Sequence, residues 1–292
     1  MRNDAFSKCH PAVNFLFFVG AIGMSVVIQH PMYLLSGILT GGIYYLLLNG
    51  RKGWKTILGL LPVFVFLTAI NPLFNTLGET PLFYVFGRPY TFEALLYGGA
   101  LASMFVIMML WFGCYNKVLT SDKFTSLFGN FIPAVSLLLV MVLRMVPNFI
   151  RKTGQIIGAR KSIGKGASEA ASTKEKVKDG MTVLGTLTSW ALEGSVVTGD
   201  SMRARGYGSA KRTSFMIYRM TVADWWLLVV MAVLVTLTIL AAVWGQMTAT
   251  FTPKLQIAAT SWGIVAYTAY LLIPTALSIK EAIQWHISRS RI

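Results

Sequence analysis

Six apolar runs constrain this chain more than any other feature, because each is close to the roughly 17 to 25 residues that cross a bilayer as a helix. They cover residues 13–28, 32–48, 56–70, 93–115, 225–244 and 258–279. Of the 292 residues, 55% are hydrophobic and only 13% charged, outside the usual range of soluble domains. The first run is not a signal peptide by pattern: no small-residue cleavage site follows it, and the second run begins directly after Gln29-His30-Pro31. Two membrane helices joined by a tight turn are expected there. Gly20, Gly23, Gly37, Gly41 and Gly42 allow the close helix packing that replaces a hydrophobic driving force in lipid.

The segments between the runs set the topology. Arg51, Lys52 and Lys55 form a basic loop with Trp54 as an interfacial anchor. Residues 71–92 hold Pro72, Gly78, Pro81, Gly87 and Pro89, too many breaks for one helix, so an outer loop of re-entrant or hairpin-like character is expected, with Thr91 capping the next helix. Formal net charge is +15, and of the 26 Lys and Arg all but Arg88 and Lys254 fall on one side of a six-span arrangement. The positive-inside bias places that side, with both termini and residues 116–221, in the cytoplasm. The expected fold is an all-α integral membrane protein of about six transmembrane helices plus two long cytoplasmic or interfacial helices. Its parts are helices 1–4 in residues 1–115, a basic region in 116–221, and helices 5–6 with a basic tail in 222–292. Tryptophans at 225, 226, 244, 262 and 285 supply an aromatic belt.

The basic region is the most informative. Residues 131–146 are apolar but carry Arg144; as a span they would require a seventh crossing and place that arginine in the bilayer at about 2.5–3.5 kcal/mol, so a helix at the interface is preferred. Residues 162–176 are small and polar, a linker by composition. Val177, Met181, Leu184, Leu187 and Ala191 then recur at helical spacing, with Lys178, Asp179, Thr182 and Ser189 assigned to the opposite face.

Catalytic patterns are missing. Glu93, Asp224 and Lys280 lie at span ends, and His10, His30 and His286 flank spans as interfacial residues. Cys9 and Cys114 suggest neither a disulfide framework nor metal-ligand spacing. The Gly158–Gly166 cluster lacks the spacing with which a phosphate loop cradles nucleotide. No catalytic residue, cofactor site or metal site is assigned, the chain is read as a non-enzyme whose energy source must be borrowed, and nucleic acid is a poor fit for a basic membrane chain. What stands out is two arginines beside small residues at the ends of long helical runs. One lies in Ala159-Arg160-Lys161 and the other in Ala204-Arg205-Gly206, with Met202 and Arg203 in support. A planar guanidinium fork suits carboxylates or carbonyls inside a partner's groove. From spacing alone, arginines bound to lipid headgroups are an equal alternative.

These residues give the chain a resemblance to the T component, the transmembrane coupling subunit, of energy-coupling factor (ECF) transporters, a class of bacterial and archaeal ABC importers. Ala204-Arg205-Gly206 resembles the family's second Ala-Arg-Gly motif. The stretch 120–161, with Leu137-Leu138-Leu139, Leu143-Arg144-Met145-Val146-Pro147 and Arg160, resembles its first coupling-helix region. Asn71-Pro72-Leu73-Phe74, Tyr90-Thr91-Phe92-Glu93-Ala94 and His10-Pro11 are also similar, so the likeness covers most of the chain. It departs at Lys161, where the family commonly has glycine, and in the long 164–173 connection. The resemblance implies two crossing coupling helices in a bacterial or archaeal cell membrane protein. Their arginine motifs would dock into grooves on two ABC ATPase subunits, and the same helices would cradle a substrate-binding membrane S component that releases a vitamin or metal ion inward. A stand-alone six-span carrier or channel with a lipid-binding basic region is the alternative reading.

Overall fold

A computed structural model describes residues 5–75, 78, 80–85, 88–129, 133–165, 172–209, 218–245, 247–250, 256–257 and 262–289. It is 85% helical. The helices are α1 (Ala5–Lys8), α2 (Pro11–Val27), α3 (Pro31–Asn49), α4 (Arg51–Phe74), α5 (Phe92–Val118), α6 (Ser121–Gly129), α7 (Pro133–Ser162), α8 (Thr173–Ala204), α9 (Val222–Val243) and α10 (Trp262–Arg289). Two antiparallel hairpins complete it: β1 (Pro81–Val85) with β2 (Arg88–Thr91), and β3 (Ala249–Thr250) with β4 (Gln256–Ile257). Among the described residues five helices, α3, α4, α5, α9 and α10, are long and apolar enough to cross a membrane, and α2 is a shorter apolar helix of 17 residues. The chain is a helical, multi-pass membrane protein.

Several boundaries differ from the sequence-based expectation. The basic loop contracts to Gly50, at φ 57°, and Arg51, Lys52, Trp54 and Lys55 form the first turns of α4. Residues 71–92 divide between the end of α4 and the β1–β2 hairpin, where Phe83 stacks on Tyr90 at 4.5 Å. Thr91 occupies the N-cap of α5, but its hydroxyl makes no capping bond. His10 and His30 are more than interfacial flanks: each is an N-cap whose Nδ1 accepts the backbone N–H of Ala12 (3.2 Å) or Met32 (3.3 Å), with proline at the first helical position. His30 is completely buried. The 162–176 linker is shorter than its composition suggests, because Ser172 and Glu175 form a capping box that starts α8 at Thr173. Residues 131–132, 166–171, 258–261 and the last residues of the tail lie outside the described residues.

The chain divides into two compact units, residues 1–124 with 218–292, and residues 125–217. In the first, α5 packs against α2, α3 and α4, and α10 against α1, α3 and α9. Its core is an aromatic cluster in which Phe17 lies 5.1 Å from Phe6, 5.5 Å from Trp111 and stacked at 5.1 Å on Tyr270. The Tyr270 hydroxyl donates to the Phe17 carbonyl at 3.0 Å and occupies the space a side chain at Gly20 would need. Helix α4 reaches α5 through Gly98, where a Cβ would stand 2.7 Å from Asn71 Cβ and 2.8 Å from the Thr68 carbonyl.

Polar contacts gather helix termini at the two ends of this bundle. At one end the Asp224 carboxylate accepts the His10 N–H (3.1 Å), Lys8 pairs with Glu281, Lys123 donates to the Val118 carbonyl (3.1 Å) and to that of Ser7, and Lys117 donates to Leu48 O (2.7 Å) and Asn49 Oδ1 (2.6 Å). At the other, Thr80 donates to Glu93 (2.6 Å), Tyr90 to the Ala69 carbonyl (3.0 Å), and Trp244 meets Trp262 edge-on at 5.9 Å.

Candidate functional site

The second unit consists mainly of α7 and α8, of 30 and 32 residues. They run antiparallel along a seam whose register is fixed by three contacts. Arg160 pairs with Asp179, Trp190 meets Phe149 edge-on at 5.9 Å, and the Lys152 ammonium lies 5.4 Å over the Trp190 ring. This register brings Ile156 and Val183, each buried, to the same level of the two helices. The seam therefore uses Asp179, Val183 and Trp190. Asp179 does not lie on a solvent face, and the stripe Val177, Met181 and Leu184 is exposed in this chain, with Met181 at 66%. Leu192 and Val196 continue that apolar face, and Leu138, Val142, Val146 and Ile150 leave α7 exposed in the same way.

The turn after α8 is built by its last residues. Tyr207 N–H donates to Met202 O at 3.0 Å and Gly206 N–H to Arg203 O at 2.9 Å, the two bonds of a Schellman motif. Gly206 occupies the left-handed position at φ 71°, which a β-carbon disfavours, and this explains a glycine directly after the arginine. Arg205 is the C-cap; it and its neighbours Arg203, Ala204, Gly206 and Tyr207 are exposed, while Met202 is half-buried beneath them. Among the described residues no carboxylate pairs with Arg205.

The end of α7 has the same motif in a different register. Lys165 N–H donates to Arg160 O at 3.0 Å and Gly164 N–H to Lys161 O at 3.0 Å, with Gly164 at φ 70°. Glycine after Arg160 is not needed, because the left-handed position comes three residues later. Arg160 thus lies inside the last helical turn, flanked by exposed Ala159 and Lys161, and its guanidinium is turned inward. Nε donates to Asp179 Oδ1 at 2.8 Å, and Nη2 donates to the same oxygen and to Lys165 O at 3.2 Å. Since Asp179 stands near the start of α8 and Arg205 at its finish, the two arginines are about 40 Å apart along the helix at 1.5 Å per residue.

Sequence reading missed Asp179 as the partner of Arg160, although opposite charges at the ends of two consecutive helices are a usable signal. It also missed Asp224, which caps α9 by accepting the Thr221 N–H (2.9 Å) and hydroxyl (2.8 Å) besides the His10 N–H. No group of three or more His, Cys, Asp or Glu among the described residues could hold a metal ion. No family model and no curated protein matches this chain.

Proposed function

We propose that the chain is the transmembrane coupling subunit of an ECF-type ABC importer. Helices α2, α3, α4, α5, α9 and α10 are its six spans in a bacterial or archaeal cell membrane, with both termini cytoplasmic. Two partner ABC ATPase subunits hydrolyse ATP, and α7 and α8 transmit the motion to a membrane S component that carries a vitamin or metal ion inward. The chain itself is non-catalytic and needs no cofactor.

The observation that carries this reading is the exposed Arg205 on the Gly206 turn. A guanidinium held at the tip of a 32-residue helix, beside Ala204 and glycine and with no carboxylate partner among the described residues, fits a groove in another protein. The exposed apolar faces of α7 and α8 add a surface for a membrane-embedded partner, since contiguous exposed apolar patches mark interaction sites. That α5 ends and α9 begins at the same end of the first unit supports a topology in which the region between them lies on one side of the membrane.

The test is Arg205→Glu in the full chain expressed with its neighbouring genes. ATPase subunits, identified by mass spectrometry, co-purify with the wild-type chain and are lost from the variant, while membrane insertion is unchanged. Co-purification of no ATPase with the wild-type chain, together with solute flux through the chain alone, would instead establish the stand-alone carrier.

A further inference from the structure

The two arginine motifs are not equivalent, and the difference can be read from their hydrogen bonds. Among the described residues Arg160 donates three bonds, all within the unit: two to Asp179 of α8 and one to the Lys165 carbonyl. Its side chain and that of Asp179 are only about one-fifth exposed, at 21% and 19%. Its own carbonyl is held by the Lys165 N–H. Arg205 is the reverse case, exposed and unpaired among the described residues.

We infer that Arg160 is a positioning residue, a staple that holds α7 against α8, and that the docking cation offered to a partner at the α7 end is Lys161. The inference rests on the coupling-subunit reading and changes how the first motif works within it. Withdrawing the guanidinium to insert it into another protein would break its bonds to the part-buried Asp179 carboxylate and to the Lys165 carbonyl, a cost that docking would have to offset. Lys161 is exposed in the last turn of α7, three residues before the Gly164 turn, so a partner can reach it without opening the seam. An ammonium is a compact point charge with no fork, so contact at this end is less directional than at Arg205. The lysine in place of glycine after Arg160 is then accounted for: the helix continues past this point, and the residue there becomes the accessible charge.

The staple makes a prediction that a grip does not, because its action depends on Asp179, which lies outside both motifs. The experiment uses the full chain with its ATPase partners and two readouts. One is the yield of an engineered disulfide between Ile156→Cys and Val183→Cys, at the seam, in a background with Cys9 and Cys114 replaced by serine. The other is ATPase co-purification. Arg160→Asp and Asp179→Arg each lower both readouts roughly tenfold, since each places like charges across the seam. The exchanged pair, Arg160→Asp with Asp179→Arg, restores both to within about twofold. Lys161→Glu lowers co-purification and leaves the disulfide yield unchanged. A charge exchange that restores the disulfide without the ATPases would make Arg160 itself the grip and overturn the inference, as would tighter ATPase binding by Asp179→Asn, which would make Asp179 a mask. If the coupling reading fails instead, no ATPase co-purifies with any form of the chain, while the disulfide still reports the staple.

Discussion

Gly206 is the residue on which the geometry of Arg205 depends. Its φ of 71° is left-handed, and a β-carbon there costs about 1–2 kcal/mol. Gly206→Ala is therefore expected to fray the last turn of α8 and weaken ATPase co-purification by about tenfold while leaving Arg205 itself intact. Gly208→Ala, also at positive φ (95°) but beyond the two Schellman bonds, is the matched control and should have a smaller effect on binding. A different residue-scale constraint operates in the bundle. Asp224 is 6% exposed and accepts N–H bonds from Thr221 and His10 together with the Thr221 hydroxyl. Asp224→Ala leaves those donors unsatisfied, at roughly 2–4 kcal/mol, and should lower the melting temperature of the detergent-purified protein by about 5 °C or more. Asp224→Asn keeps one carbonyl oxygen and should recover about half of that loss.

At the scale of elements, α4 depends on one close approach. Gly98 of α5 lies where any β-carbon meets both a side chain and a backbone carbonyl of α4. The carbonyl cannot yield without moving the helix, so Gly98→Val should push α4 away and cost about 1–3 kcal/mol or more. Gly59→Ala, in α4 itself with open space around it, should be neutral or slightly stabilising, because alanine is the better helix former. Thermal aggregation of the two variants in the same detergent separates them, and equal destabilisation would discount the Gly98 contact. Five long apolar helices were legible in the sequence because length and apolarity alone mark them. Residues 71–92, expected as an outer loop of re-entrant or hairpin-like character, hold a hairpin at 81–91 but continue α4 as far as Phe74. The facing of α8 was not. Periodicity marks an apolar stripe without saying what covers it, and Val177, Met181 and Leu184 turn out exposed while Asp179 and Trp190 form the seam. Arg160 was singled out because of its sequence neighbours, yet its orientation is decided by a carboxylate 19 residues away.

At the scale of the whole molecule, charge bias and helix-end contacts both bear on topology. The bias counts lysines and arginines in the chain segments; the contacts join the starts of α2 and α9 and the ends of α3, α5 and α10 through Asp224, Lys117, Lys123 and the Lys8–Glu281 pair. The three cations in these contacts, Lys8, Lys117 and Lys123, lie on the side that the positive-inside bias assigns to the cytoplasm, so crossing the membrane in the opposite sense would oppose the whole basic set at once. A membrane-impermeant maleimide decides between the two orientations. With Cys9 and Cys114 replaced by serine, Tyr84→Cys in the exposed β1–β2 hairpin should be labelled on intact cells, whereas Val177→Cys at the exposed start of α8 and Trp285→Cys near the end of α10 should require permeabilisation. Labelling of Tyr84→Cys only after permeabilisation would invert the topology and remove α7 and α8 from the reach of cytoplasmic ATPases. Labelling of Tyr84→Cys and Trp285→Cys together on intact cells would break the even number of crossings, and would point to residues 131–146 as the additional span with Arg144 inside the bilayer.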